Sequence, residues 1–445
     1  MKSKDRLHGK DVTSVQNRKA SDTGGRPSSA GVKQRFASLG RPYFAFLRMD
    51  ACIMAIVSLL SLFINTFIVR ASGGIDNALI YNMVTFGAQP LFMVAAVFVS
   101  RRLSPCVSQR LGFVFYGILF LFIIVTGERS ATDLFVVPAL LRAAGAGFYY
   151  VTYSFQIVEY TTDDNRDAAS GIGGTVSSVI ALILPLLAGL FLSGFHGSFS
   201  GYRIFFSALL CIATLGLIFS LRLAPLRRSV DTADRRAHLS GVLKSLTCTK
   251  TGVRVLLITF FKGLRSGALS FFVELLIFSA IKSESLIGVN AALGKTAAIL
   301  AAVLYGIFVT PKRRAGSVAA ASTVIIAAAC VLFFKMDRIT LIVFSILNAG
   351  LAIFITEPEL TLYFTVISET DGLKGLAGEV HTVNEFFLAA GEVAGIGLTL
   401  FSGHFFPGSG TASVVSVIIL AASQYVCALL IHILGKEGPS GKAGV

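Results

Sequence analysis

Tryptophan is absent from the 445 residues, charged residues make up only 14%, and the six histidines and six cysteines are scattered singly. Each shortage excludes something. With 54% hydrophobic residues and a mean hydropathy of +0.76, so little charge cannot cover the surface of a soluble domain of this size. The cysteines, Cys52, Cys106, Cys211, Cys248, Cys330 and Cys427, show no Cys-x-x-Cys spacing, so they read as small apolar fillers, neither disulfides nor metal ligands. No Gly-x-Ser-x-Gly, His-Glu-x-x-His or P-loop lysine motif occurs, and no histidines cluster; the expectation is no enzyme, no metal and no cofactor. No apolar run of signal-peptide length precedes Tyr43, so targeting rests on the first membrane span.

What is present is apolar length. Twelve runs are long enough to cross a bilayer, at about 50–69, 78–100, 107–127, 133–160, 168–193, 201–222, 253–281, 285–309, 315–334, 339–367, 376–402 and 411–434. Barrel strands would show only about ten residues of alternation, so the fold class is all-α: an integral membrane protein with twelve transmembrane helices in two pseudo-symmetric six-helix bundles. The expected organisation is a disordered basic cytosolic tail over 1–48, bundles over 49–222 and 253–434, a basic cytosolic linker over 223–252 and a cytosolic tail over 435–445. In the linker, Leu239, Val242, Leu243 and Leu246 fall at helical spacing. They predict a short amphipathic helix on the cytosolic membrane surface, or else a plain solvated linker.

The net charge of +15 follows the topology and does not signal nucleic acid. The first 48 residues alone supply eleven Lys and Arg against Asp5, Asp11 and Asp22. With the N-terminus inside, the inner segments hold 29 Lys and Arg and the outer loops six, so both termini are expected in the cytosol of a cell membrane. An offset of 206 aligns Arg142-Ala143-Ala144 with Asn348-Ala349-Gly350 and Ala188-Gly189 with Ala394-Gly395, as a parallel duplication of a six-helix unit requires.

Charge at bilayer depth costs about 2.5–3.5 kcal/mol at a helix centre, so it requires a partner or a wet cavity. Arg142, Lys262, Arg265 and Lys295 all fall roughly 14–18 Å into their spans. Lys262 and Arg265, three apart, share a face. Acids answer them: Glu385 and Glu392 in the eleventh span, and Glu357 and Glu359 about Pro358 in the tenth, where a proline between carboxylates suggests a discontinuous, cavity-lining helix. Asn65, Gln89, Gln156 and Asn348 add hydrogen-bonding capacity. Two readings fit this set. In one, the cations bind an anionic or zwitterionic solute and an acid such as Glu385 or Glu357 exchanges protons; in the other, cations and acids merely neutralise one another as buried pairs.

Three local patterns carry a family resemblance. Leu140-Leu141-Arg142-Ala143-Ala144-Gly145-Ala146-Gly147 resembles the fourth-span Arg motif of the major facilitator superfamily, its glycines one residue early. Gly171 followed by Leu184-Pro185-Leu186-Leu187-Ala188-Gly189 is similar to the fifth-span signature of that family's antiporters, with Leu184 and Ala188 where glycines are usual. There Pro185 would free a carbonyl and the glycines would let helices approach closely. Ser100-Arg101-Arg102-Leu103-Ser104-Pro105 keeps the basic character of the family's second-loop motif without its Asp and Gly, so the usual charge relay between the halves lacks its acid. The resemblance spans about residues 50–434 and points to a divergent branch akin to uncharacterised bacterial members. It implies a secondary active transporter of a small solute working by alternating access, coupled to protons, with efflux by antiport. Symport uptake of an organic anion or zwitterion, or a non-transporting receptor or scaffold of the same fold, are the alternatives. The expected partners are the solute, protons and the bilayer, and a monomer is compatible with the sequence.

Overall fold

The computed structural model describes residues 39–161, 165–196, 198–223, 238–270, 272–369, 376–405 and 410–437. The tail over 1–38, linker residues 224–237 and the end of the chain lie outside that description. The spans are α1 Arg41–Ser72, α2 Asp76–Arg102, α3 Pro105–Thr126, α4 Val136–Glu159, α5 Arg166–Ser193, α6 Phe199–Leu221, α7 in two stretches (Lys250–Leu269 and Phe272–Ile281), α8 Glu284–Phe308, α9 Arg314–Phe334, α10 Arg338–Glu369, α11 Ala377–Phe405 and α12 in two stretches (Gly410–Ala422 and Gln424–Glu437). Eleven of these spans are long and apolar enough to cross a membrane. The twelfth, α4, has 24 residues and carries Arg142 in its second turn. At 1.5 Å per residue it too exceeds the roughly 30 Å hydrocarbon core. The protein is a multi-pass membrane protein with two six-helix bundles, and no strand occurs among the described residues.

Local chemistry sets the helix ends. Pro42 and Pro105 sit in first turns, where their missing N–H costs nothing. Ser104, Thr249 and Ser283 cap α3, α7 and α8 by accepting from Val107, Gly252 and Leu286 amides at 3.3, 3.1 and 3.4 Å. Gly73 closes α1 in the left-handed region, φ 75°. The first helix thus begins at Arg41, well before the expected 50, so residues 41–48 belong to the bundle and not to a tail. Tyr43 and Phe46 explain the extension. Both are buried; the Tyr43 hydroxyl donates to the Ala169 carbonyl at 2.5 Å, and the Phe46 ring packs on Tyr153 and Tyr160.

The same neighbours recur in both halves. In the first, α1 packs on α5 and α6, α4 on α2 and α3, and α3 on α6; in the second, α7 packs on α11 and α12, α10 on α8 and α9, and α9 on α12. The halves meet through α2 with α11 and through α5 with α8, again related by the six-helix shift, and α1 touches α7 at the centre. α1 and α7 are the most buried spans, as their axial positions require.

Two sequence expectations change. The linker helix, Leu239–Thr247, turns part of its apolar face to protein: Val242 and Leu246 are buried against Leu256 of α7 and Val380 and Val383 of α11, while Leu243 stays exposed. And α10 is not discontinuous; it is one helix of 32 residues running through Pro358. Pro358 lacks the N–H that would bond the Phe354 carbonyl four residues back. Ser317 of α9 supplies a substitute, its hydroxyl donating to that carbonyl at 3.2 Å.

Candidate functional site

A cavity of about 430 Å³ lies between the halves. The first half contributes Ser58 and Ser61 of α1, Asn82 of α2, Arg142 of α4 and Ser177 and Pro185 of α5; the second contributes Ser270 and Glu274 of α7, Asn290 and Lys295 of α8 and Ser345 of α10. Polar groups on its walls are held from behind. Asn82 donates to Asn65 at 2.7 Å and accepts from Arg142 at 3.4 Å, and the Arg142 guanidinium lies 5.8 Å from the centre of the Tyr81 ring. Asn290 donates to Ser345 at 2.8 Å. Ser270 caps the first stretch of α7 and Glu274 lies in the first turn of the second. The cavity therefore holds a cation from each half, one carboxylate, and hydroxyls and amides.

Of the charged and amide candidates from the sequence, Arg142 and Lys295 line this cavity, as does the kink residue Pro185; the other charged and amide candidates do not. Lys262, Arg265, Asn348, Glu359, Glu385 and Glu392 form a second polar group among α7, α10 and α11, nearer the linker end. Arg265 is buried and donates to the Asn348 side chain at 2.8 Å, while Asn348 donates onward to the Leu269 carbonyl at 3.3 Å. Asn348 thus serves Arg265, although it aligns with Arg142 in the repeat. Glu392 accepts from Ser266 at 3.2 Å, and Glu385 accepts from Gln89 of α2 across the halves at 2.6 Å. Lys262 interacts electrostatically with Glu359, Glu385 and Glu392. Glu357 is half-buried on α10 near Tyr305.

Packing accounts for most of the small residues. A side chain on Gly189 would meet the Glu284 carbonyl at 2.6 Å, and one on Gly288 the Pro185 carbonyl at 2.5 Å, so α5 and α8 cross almost backbone to backbone. Gly145 lies against the Tyr116 ring and Gly147 against Gln89 and Phe92, which places the fourth-span motif's glycines in the contacts of α4 with α3 and α2. Gly171 has open space around it and makes no close approach.

The sequence reasoning missed Glu274 altogether, although a lone carboxylate inside an apolar run is the same signal that flagged Glu385. It also missed Asp50, buried and accepting from the Tyr149 hydroxyl at 2.5 Å, because α1 was expected to begin there. Two ion pairs between the halves escaped it as well. At the linker end Arg101 of α2 pairs with Glu379 of α11, both side chains buried. The basic loop thus does have an acid, supplied by the other half. At the opposite end Arg70 of α1 meets Glu284 of α8 at 2.5 Å, with the Tyr202 hydroxyl donating to the same carboxylate at 3.0 Å and the Phe278 ring 5.4 Å from the guanidinium.

Among solved structures, the D-xylose-proton symporter superposes with a TM-score of 0.66 at 11% identity, over 87% of this chain and 96% of that one. The chain has the major facilitator fold. The nucleoside transporter NupG (TM-score 0.64, 11% identity, 88% of this chain and 99% of that one) and an auto-inhibited POT family peptide transporter (0.63, 16%, 88% and 96%) share it. In sequence the chain is 25% identical over 340 residues to the uncharacterized protein YqgE of Bacillus subtilis, covering 76% of this chain and 77% of the relative. It is 30% identical over 152 residues to an uncharacterized protein of Geobacillus stearothermophilus, covering 34% of this chain and 70% of that protein. No protein-family model matches it.

Proposed function

We propose that the protein is a secondary active transporter that carries a small anionic or zwitterionic solute by alternating access, by symport with a proton. The observation that carries this reading is the composition of the cavity between the halves: Arg142 on one wall, Lys295 and Glu274 on the other. Two cations against one carboxylate favour a solute bearing a carboxylate or similar anion, gripped by both halves at once, with hydroxyls and amides left to read its remaining polar groups. Such a lining disfavours lipophilic cations, and with them the efflux reading suggested by the fifth-span signature. Pro185 and Gly189 in that signature are accounted for by the crossing of α5 and α8.

Glu274 is the carboxylate in contact with the cavity, and so the group best placed to exchange a proton as solute arrives and leaves. The D-xylose-proton symporter, which shares the fold, is consistent with proton coupling. Alternating access draws support from the two cross-half ion pairs, one at each end of the cavity, which have to break in turn for either end to open.

The test is thermal unfolding of the purified protein in detergent against panels of organic anions, zwitterions, neutral sugars and lipophilic cations. A ligand at 100 times its Kd adds about 2.7 kcal/mol to the native state, a visible shift in midpoint. The expected result is stabilisation by a carboxylate-bearing solute that is lost in Arg142→Gln. Stabilisation by lipophilic cations alone would overturn the reading.

A further inference from the structure

On the flank of the second half, the linker-end portions of α8, α9 and α10 enclose a groove of about 580 Å³, to which the first half contributes no residue. Its walls are apolar, formed by Phe308, Val324 and Phe354, and they open sideways: Phe308 is 60% and Val324 46% exposed on a molecule whose flanks face hydrocarbon. Its mouth is basic. Lys312 and Arg313 both line it from the 3-10 turn Pro311–Arg313, both are exposed, and neither forms an ion pair among the described residues.

The corresponding seam of the first half, between α2, α3 and α4, is closed. Phe148 and Met93 fill it together with Phe92, Leu111 and Phe115, and Arg101 at its basic end is committed to Glu379. The groove is therefore a property of the second half and not a by-product of the fold. α9 leaves it by presenting Gly316 and Ala320, and a side chain added at Gly316 would meet nothing within 4 Å.

We propose that this groove binds one anionic phospholipid, its phosphate at Lys312 and Arg313 and an acyl chain along Phe308, Val324 and Phe354. Charge complementarity and the open apolar wall select this occupant together. A free phosphate would use the mouth and forgo the walls, and a zwitterionic lipid would fill the walls without using the uncompensated positive charge of the mouth. The linker end is also the strongly basic end by sequence, the side on which anionic lipid is encountered.

The experiment uses the full chain, delipidated in neutral detergent, and compares phosphatidylglycerol, phosphatidylcholine of the same acyl chains, and inorganic phosphate by native mass spectrometry and thermal midpoint. The expected result is one retained phosphatidylglycerol per chain, a raised midpoint, and a preference over phosphatidylcholine on the order of tenfold or more. Lys312→Ala with Arg313→Ala should bring that preference close to unity, and Ala320→Phe, which blocks the groove but keeps the charges, should abolish retention. Should the alanine pair fold poorly, Lys312→Gln with Arg313→Gln removes the same charge. Equal retention of the two lipids, equal stabilisation by inorganic phosphate, or an undiminished preference after charge removal would each overturn the proposal.

Discussion

Glu274 and Lys295 face Arg142 across a cavity that belongs to neither half alone, and that juxtaposition makes the roles of single side chains separable by experiment. Glu274→Gln keeps the shape of the carboxylate and removes its titration. In proteoliposomes it is expected to abolish accumulation driven by a pH gradient while leaving solute exchange at equal pH intact; unchanged accumulation would remove Glu274 from coupling. Arg142→Gln deletes a charge-assisted contact worth about 1.5–3 kcal/mol, so solute affinity should fall roughly ten- to hundredfold, as read by the ligand-induced shift in midpoint. Glu385→Gln should do less, because a glutamine there can still accept from Gln89. Intramembrane charge was the legible signal at this scale, and it found Arg142 and Lys295. It could not tell that Lys262 and Arg265 point elsewhere, because spacing shows which residues share a face but not which neighbour that face meets. The rotation of α7 is fixed by its contact with α11, which no charge pattern reveals.

That contact is the tightest between elements. Gly263 and Gly267 of α7 interlock with Gly391 and Gly395 of α11, and a side chain at Gly391 would fall 2.0 Å from the Phe260 carbonyl. In hydrocarbon, where apolar burial does not drive helices together, such backbone approach supplies much of the association. Gly391→Ala should therefore destabilise the protein by about 1–3 kcal/mol in detergent unfolding. Gly171→Ala, with open space around it, should be neutral or gain up to about 1 kcal/mol from the lost backbone freedom of glycine. Ser317→Ala should cost about 1–3 kcal/mol by stranding the carbonyl that Pro358 leaves free. Element existence was readable from apolar length, and all twelve spans lie where the runs fall. The start of α1 was not, because Tyr43 and Phe46 are held by α4 and by Ala169, contacts distant in sequence. Neither was the destination of the linker helix: its apolar face looks the same whether lipid or α7 and α11 cover it.

At the scale of the whole molecule, the duplicated neighbour pattern was anticipated by the weak repeat in sequence, whereas the ion pairs that tie the halves together were not. Arg101 and Glu379 are 278 residues apart and come together only once the bundles dock. Breaking a buried pair by removing one partner costs about 3–5 kcal/mol, so Arg101→Ala should bias the population towards opening at the linker end. The expected readout is faster thiol labelling of a cysteine placed at Ser58 from that side, with Arg101→Glu combined with Glu379→Arg restoring the slow rate. Unaltered labelling would exclude Arg101 and Glu379 as a gate.

The glycine crossing of α5 and α8 has a mechanical consequence. Because Gly189 and Gly288 meet with no side chains to disengage, they form the natural fulcrum for any relative rotation of the halves. The fulcrum is off centre. Gly288 is four residues from the start of α8 and twenty from its end at Phe308, which at 1.5 Å per residue makes lever arms of about 6 and 30 Å. One rotation thus moves the linker end about five times as far as the other, giving a wide mouth on one side of the membrane and a narrow one on the other. Spin-label distances between the halves should spread accordingly, broad at the linker end and confined at the Glu284 end; equal spreads would place the axis elsewhere.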